Sequence, residues 1–370
     1  GQELLERRAR GYISFVRGEN PYTFPYRIWP VQFSENNTFK RVEYPRIQLN
    51  GKMIIQGLEH VDVFLSEIGE YQQKGYNYIL ESIKEDGDPE KFEERDTFGY
   101  TLLQRPLEAL NMVYPHLDLD EEGGTPNIRS LVGKSGLKRI MKFTERSNPP
   151  TRNKFSYREG YEHIFSQENI MKYSGKIASI CNSIRNSDGI VLIYSQYIDG
   201  GLVPIALALE EMGYVRYGET SSLFANIPTS EQLNLATNNI HTPEDKTFIP
   251  AKYAMITGDK ALSPNNVSEI KALTDKNNTD GSQVKVVLIS QAGSEGLDFK
   301  NIRQVHIMEP WYNMNRIEQI IGRTCRNCSH MNLEFPKRNV QIFLYGTLLK
   351  DRQLEAADLY LYRLAERKAI

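Results

Sequence analysis

The sequence contains few cysteines, no long apolar run and no strong excess of either charge. Three cysteines in 370 residues are too few for a disulfide framework, so we expect a reducing compartment. No apolar run approaches the roughly 18 to 20 residues of a membrane span, and we expect no membrane partner. The formal net charge of −2 argues against a purely electrostatic binder, although a local basic groove needs no overall positive charge.

The composition, 40% hydrophobic and 25% charged, is globular and sufficient for two domains. Because the first residue is a glycine, we expect a fragment of a longer protein. The prolines and aromatics near the start predict an extended strap, with a packing linker as the alternative. We predict four parts: the strap at 1–30, an accessory insertion region at 31–164, a regular lobe at 165–348 and a C-terminal helix at 349–370.

The regular lobe alternates short β-branched strands with helical segments. Examples of the strands are GIVLIYS, YAMITG and KVVLIS. This alternation predicts an α/β fold with a parallel sheet covered by helices on both faces, from about 165 to 350. Ligands bind such sheets at the carboxyl ends of the strands. The smaller accessory region before it is expected to be mixed α/β or α+β.

The most basic window of the sequence spans residues 129–154. It holds eight lysines and arginines against one acid, Glu145. Such a stretch attracts phosphates through counterion release. We predict that Lys134, Lys138 and Arg139 contact nucleic acid, and a solvated basic loop is the alternative.

The strongest motif is QIIGRTCR at residues 319–326. Arg323 and Arg326 are three apart, so on a helix they share one face and form a clamp for phosphate oxygens. Gly322 permits close backbone approach, and Asn313 is the expected helix N-cap. An arginine presented to a transferring phosphoryl group stabilises the charge of the transition state. The alternative is a surface arginine pair.

A second motif, SQAGSEGLDF at residues 290–299, directly follows the strand KVVLI. Glycines and serines at the end of a strand offer amides and hydroxyls to phosphates. Asp298 is placed to bond a ribose hydroxyl or to hold an arginine. The position of this motif, just ahead of QIIGRTCR, strengthens the interpretation of both.

These motifs resemble those of superfamily 2 helicases. AGSEGLD, WYN and QIIGRTCR resemble motifs V and VI, while VLIYSQYIDGG and YAMITGD resemble motifs IV and IVa. The sequence is similar to helicases of the nucleocytoplasmic large DNA viruses, such as the poxvirus nucleoside triphosphate phosphohydrolase and early transcription factor small subunit. It resembles Swi/Snf translocases more distantly. The resemblance covers about 165–350 and implies a second RecA-like lobe.

The resemblance also implies roles for individual residues. The catalytic residues would be Arg323 and Arg326, reaching ATP bound on another lobe, with Gln319 opening their motif. Gly296, Asp298 and Gly322 would lie near the nucleotide. The residues implied to contact nucleic acid are Ser195, Gln196, Thr257, Gly258, Ser290 and Gln291.

The sequence contains no GxxxxGK[ST] phosphate loop. The resemblance places that loop and the carboxylate ligand of Mg²⁺ on an N-terminal lobe, so ATP and Mg²⁺ are the implied cofactors and we expect the chain alone to be inactive. Cys325, Cys328 and His330 supply at most three zinc ligands, and no metal site is predicted.

The partners that the resemblance implies are DNA or RNA, the N-terminal lobe, and viral RNA polymerase or replication proteins. A viral protein of this kind would reside in the host cytoplasm, the viral factory or the virion, and otherwise in the nucleus. The alternative function is a non-catalytic helicase-like scaffold in a viral transcription complex.

Overall fold

One parallel sheet organises the protein. The computed structural model describes residues 22–86, 98–121, 123–147, 150–152, 154–218, 222–294 and 296–369. In chain order, its strands are β1 (Tyr26–Ile28), β2 (Phe64–Glu67), β3 (Met141–Lys142), β4 (Glu145–Ser147), β5 (Pro150–Arg152), β6 (Ser156–Tyr157), β7 (Ile190–Tyr194), β8 (Val215–Arg216), β9 (Leu233–Asn234), β10 (Asn239–Ile240), β11 (Lys252–Ile256), β12 (Val286–Ile289), β13 (Ile302–Ile307) and β14 (Asn339–Leu348).

The order across the main sheet is β1-β14-β13-β7-β12-β11-β8, and β2 also pairs with β14. All seven pairings are parallel. The remaining strands form three two-stranded antiparallel ribbons, β3 with β6, β4 with β5 and β9 with β10. A parallel sheet needs both faces covered, and the helices provide that cover.

The helices, in chain order, are α1 (Pro30–Phe33), α2 (Glu70–Asp86), α3 (Tyr100–Asn111), α4 (Leu117–Asp120), α5 (Gly133–Ile140), α6 (Ile170–Tyr173), α7 (Gly175–Arg185), α8 (Val203–Glu211), α9 (Asn266–Leu273), α10 (Gln291–Ser294), α11 (Asn315–Thr324) and α12 (Ala357–Ala369). Within the described ranges, none of these helices has the length and apolar character that crossing a membrane requires.

The central strand β7 is buried on both faces. Val191 and Ile193 belong to one hydrophobic cluster, while Ile190 and Leu192 belong to another. Successive side chains of a strand point to opposite faces, so the two clusters mark the two sides of the sheet. Helices α7 and α8 cover the first side, whereas α11 and α12 contribute to the second. The predicted RecA-like α/β lobe is confirmed.

The accessory region is more closely joined to the lobe than its separate assignment suggested. Strand β2 extends the main sheet by pairing with β14. Phe64 of β2 packs against Phe343 and Tyr345, with ring centroids 5.2 and 5.4 Å apart. Residues of the accessory region therefore complete the core of the lobe, a role that four-residue strands do not signal in a sequence.

The predicted strap and basic window also contain regular structure. Residues 1–21 lie outside the described residues, and β1 adds the end of the strap to the sheet edge beside β14. The described residues of the basic window form α5 and strands β3, β4 and β5, so the alternative of a solvated basic loop does not describe this segment.

The packing of Phe64 provides a test of this arrangement. Phe64→Ala should destabilise the lobe by about 3 kcal/mol, because truncating a buried aromatic leaves a cavity. Denaturant unfolding of the 370-residue chain measures the loss. The matched control Tyr26→Ala, at a side chain 60% exposed, should change stability by less than about 0.5 kcal/mol. Unchanged stability of the Phe64→Ala variant to denaturant would show that the accessory region folds independently of the lobe.

Candidate functional site

The candidate site lies at the edge where β7, β11, β12 and β13 end. Parallel strands bring their carboxyl ends together, and backbone bonds continue just past them. The amide of Ser290 donates to the carbonyl of Ile256 at 3.3 Å, and the amide of Met308 donates to that of Tyr194 at 3.1 Å. The segments that follow these four strands are therefore neighbours, as the sequence predicted.

Helix α11 presents the arginine motif from this edge. Its buried positions are Ile317, Ile320, Ile321 and Thr324, spaced three and four apart as one face of a helix requires. Gln319 lies on the exposed side. The N-cap is Met314 rather than the predicted Asn313, and the helix ends at Thr324. Arg323 is therefore helical, whereas Arg326 lies beyond the helix, so the predicted sharing of one helical face is wrong.

A salt bridge joins the motifs SQAGSEGLDF and QIIGRTCR, although Arg326 lies beyond the helix. Arg326 Nη1 lies 2.6 Å from Asp298 Oδ1, and both side chains are more than half exposed. In addition, the amide of Phe299 donates to the carbonyl of Arg323 at 3.2 Å. Asp298 was predicted to bond a ribose hydroxyl or to hold an arginine, and here it pairs with Arg326. The pair keeps a charged guanidinium at the surface of the site.

Glycines allow close backbone approach within the segment SQAGSEGLDF. A Cβ on Gly293 would lie 2.0 Å from the carbonyl oxygen of Ile256, and Gly296 has a φ of +73°, a conformation that favours glycine. Gly322 differs from Gly293 because, apart from its chain neighbours and the backbone of its own helix, no described atom lies within 4 Å of the Cβ position built on it. The surface around Gly322 is open.

Three of the predicted nucleic-acid contacts need correction. The side chains of Ser195, Thr257 and Ser290 are buried, at 0%, 2% and 5% exposure. The Ser195 hydroxyl lies 3.0 Å from the carboxylate of Glu309, and that of Thr257 lies 2.9 Å from Ser263 Oγ.

The hydroxyl of Ser290 accepts from the amides of Gly258 at 3.4 Å and Gly293 at 3.2 Å. All three hydroxyls therefore hold loops of the lobe together instead of facing a ligand.

The other residues predicted to contact nucleic acid at this edge differ in their exposure. Gly258 and Gln291 are exposed, while Gln196 is partly buried. The side-chain nitrogen Nε2 of Gln196 is covered and has no hydrogen-bond partner among the described residues. Gly258 and Gln291 are therefore the exposed members of the predicted set.

The basic residues of this window differ in their surroundings. Lys134 forms an ion pair with Glu145, and Lys138 lies with Nζ 5.7 Å from the centre of the Phe143 ring. Arg139 is partly buried, and its Nε is covered without a described partner. Lys142 is exposed. The window is thus less uniformly available to phosphates than its composition indicates.

The cysteines and histidine after α11 do not form a metal centre. Cys325 is buried and Cys328 is exposed. The imidazole of His330 lies with Nε2 2.6 Å from the carbonyl oxygen of Ile302 and Nδ1 2.8 Å from the Ser329 hydroxyl. Burial lowers the pKa of His330 to about 4, so the ring is neutral at pH 7. Among the described residues, no group of three or more histidines, cysteines and acids is arranged to hold a metal ion.

Sequence reasoning missed a buried carboxylate, Glu309, just after β13. It is 2% exposed and accepts hydrogen bonds from Asn111 Nδ2 at 2.8 Å and from the amide of Gln196. A lone glutamate after a strand carries no distinctive pattern, and its partners are more than 100 residues away. No sequence signal identifies it.

Comparison with known proteins agrees with this geometry. Residues 175–328 match the model of the helicase conserved C-terminal domain. The matched residues lie within the regular α/β lobe. The resemblance predicted from the motifs is confirmed, and the matched region contains the segments after β7, β11, β12 and β13 together with both arginines.

Two viral relatives illustrate the similarity. The chain is 26% identical over 345 residues to a putative ATP-dependent RNA helicase of Acanthamoeba polyphaga mimivirus, covering 93% of this chain and 44% of that protein. It is 34% identical over 181 residues to a termination factor NPH-I homolog of African swine fever virus, covering 46% of this chain and 26% of that protein. The chain thus spans less than half the length of these curated relatives.

Among solved structures, the C-terminal part of the Fun30 ATPase domain aligns with a TM-score of 0.45 and 14% identity. The alignment covers 82% of this chain and 88% of that chain.

Proposed function

We propose that this chain is the C-terminal half of an ATP-dependent helicase or translocase that moves on nucleic acid, with DNA as the expected track. The observation that carries the proposal is the joining of motifs V and VI, where Arg326 pairs with Asp298 and Phe299 bonds to the backbone of Arg323. The helicase-type lobe supports a helicase-like function, and the two arginines supply the chemistry.

The chemistry proposed for the arginines is charge stabilisation. ATP with Mg²⁺ would bind the phosphate loop of an N-terminal lobe, and closure would bring Arg323 and Arg326 to the phosphates. Gln319 is exposed on α11, and the space beside Gly322 is open, which suits approach of a second lobe. Asp298 would keep Arg326 oriented until nucleotide competes for it.

The proposed nucleic-acid surface uses what the edge leaves accessible. The backbone at Gly258, the side chain of Gln291 and the exposed lysines Lys138 and Lys142 are its candidate contacts. Amides and lysines bind phosphates of either DNA or RNA, so RNA is the second candidate track. The partners proposed for it are viral RNA polymerase or replication proteins, and the proposed place of action is the host cytoplasm, the viral factory or the virion.

The arginines give the direct mutational test. In a protein that carries both lobes, Arg323→Ala or Arg326→Ala should lower ATP turnover by about 10³-fold or more, as loss of an arginine finger does, while nucleic-acid affinity stays largely intact. The measurements are steady-state phosphate release and fluorescence-anisotropy titration.

A matched control is Arg41→Ala, because Arg41 is an exposed arginine that pairs with a carboxylate, Glu35, at 2.7 Å. It should leave turnover unchanged. Equal loss of turnover and nucleic-acid binding in the arginine-motif variants would argue for a folding role and against this proposal.

The basic window is tested by salt dependence. Replacing Lys138 and Lys142 by serine should lower the slope of log affinity against log salt by up to about 1.8 on duplex DNA, since each phosphate contact contributes about 0.9. Lys134 and Arg139 are kept because one is ion-paired and the other is partly buried.

The control for this experiment removes the same charge elsewhere, by serine substitution at the exposed Lys271 and Lys276. An unchanged slope in the Lys138 and Lys142 variant would remove the basic window from the nucleic-acid site. A slope lowered equally by both double variants would indicate general electrostatic attraction instead of a defined contact.

A further inference from the structure

A buried polar network lies directly beneath the candidate site. Its centre is the carboxylate of Glu309, which accepts hydrogen bonds from Ser195 Oγ at 3.0 Å, Asn111 Nδ2 at 2.8 Å and the amide of Gln196. These donors come from the loop after β7 and from the end of α3. Glu309 itself begins the segment that leads through residues 310–314 into α11.

Lys176 extends the network to the C-terminal helix. Its ammonium group is 1% exposed and donates to the Met308 carbonyl at 2.8 Å and to Asp358 Oδ2 at 2.8 Å. Asp358 in turn accepts from Thr347 Oγ1 at 2.7 Å. The ammonium group thus contacts the Asp358 carboxylate directly and acts on Glu309 only through its charge. Burial raises the pKa of Glu309 despite that charge and its hydrogen bonds.

Stability alone does not account for a carboxylate at this place. Moving a charge out of water costs several kcal/mol, and a buried ionic group is often replaced by a neutral one without loss of stability. What such a group does provide is fixed geometry, because each donor is satisfied in one arrangement only. At Glu309, that geometry joins the loop 195–197 to the entry of α11.

We propose that Glu309 is a positioning residue that couples the loop 195–197 to the arginine-bearing helix α11. A shift of either segment changes the position of the other, because both depend on one carboxylate. The functional effect of this coupling rests on the proposed function. Nucleic acid bound at the strand ends would alter the position of Arg323, and therefore the rate of ATP hydrolysis.

The protein provides a matched control for Glu309 in Glu210. This side chain is also fully buried, and its carboxylate accepts from the amides of Leu223 and Phe224 at 2.6 and 2.9 Å and from Tyr253 Oη at 2.7 Å. The chemistry matches that of Glu309, whereas the loop that Glu210 anchors is not one of the segments that carry the motifs.

The first experiment compares Glu309→Gln with Glu210→Gln in the two-lobe protein. Glu309→Gln should keep turnover without nucleic acid within about 3-fold and lower the stimulation by nucleic acid about 10-fold, a coupling loss of usual size. Glu210→Gln should retain both rates. Retained stimulation in Glu309→Gln, or equal loss in both variants, would overturn the proposal.

A second experiment needs neither nucleotide nor nucleic acid. Amide hydrogen exchange of the 370-residue chain should become faster in Glu309→Gln at both 195–202 and 310–318, whereas Glu210→Gln should affect 222–225 instead. A change confined to one of the two segments in Glu309→Gln would overturn the coupling.

This experiment also separates the two claims. If the wild-type two-lobe protein shows no stimulation by nucleic acid, the proposed function fails, while the exchange result still decides the role of Glu309. If Glu309→Gln does not fold, Ser195→Ala removes one donor and keeps the carboxylate. It should then raise exchange in both segments, and a change at 195–202 alone would refute the coupling.

Discussion

Parallel strand pairing is the constraint on which the rest of the structure depends. Because β7, β11, β12 and β13 all run in the same direction, the segments that follow them meet at one edge. Residues more than 100 positions apart in the chain become neighbours there. The sheet is buried on both faces by helices, which makes this edge the place where backbone and polar side chains reach the surface.

Two layers of charge occupy that edge. The outer layer is the exposed pair of Arg326 with Asp298, which water screens and a ligand is free to exchange. The inner layer is the carboxylate of Glu309 with its donors, and this carboxylate is buried. The exposed pair of Arg326 and Asp298 is suited to binding. The proposed role of Glu309 and its donors is to fix the relative positions of the loop 195–197 and the segment that leads into α11.

Patterns with a clear period were predictable from the sequence, and pairings between distant residues were not. The apolar run of β7 and the isoleucine spacing of α11 each identify a buried element. Asp298 as a partner for an arginine also followed from the motif order, although its actual partner is the second arginine.

The burial of Ser195 was not predictable in the same way, since it depends on Glu309, 114 residues further along the chain. The short strand β2 likewise carries too little pattern to reveal that it joins the main sheet. Motifs therefore located the site, whereas the orientation of each side chain required its long-range partners.

The central claim is that this chain supplies the arginines of an ATP site but not its phosphate loop. ATP hydrolysis by the purified 370-residue chain, with Mg²⁺ and duplex DNA or RNA present, tests it most directly. Phosphate release at the rate of the protein-free control is the predicted result, because no GxxxxGK[ST] sequence is present to bind the transferring phosphates. Sustained turnover by the chain alone that Arg323→Ala abolishes would contradict the account.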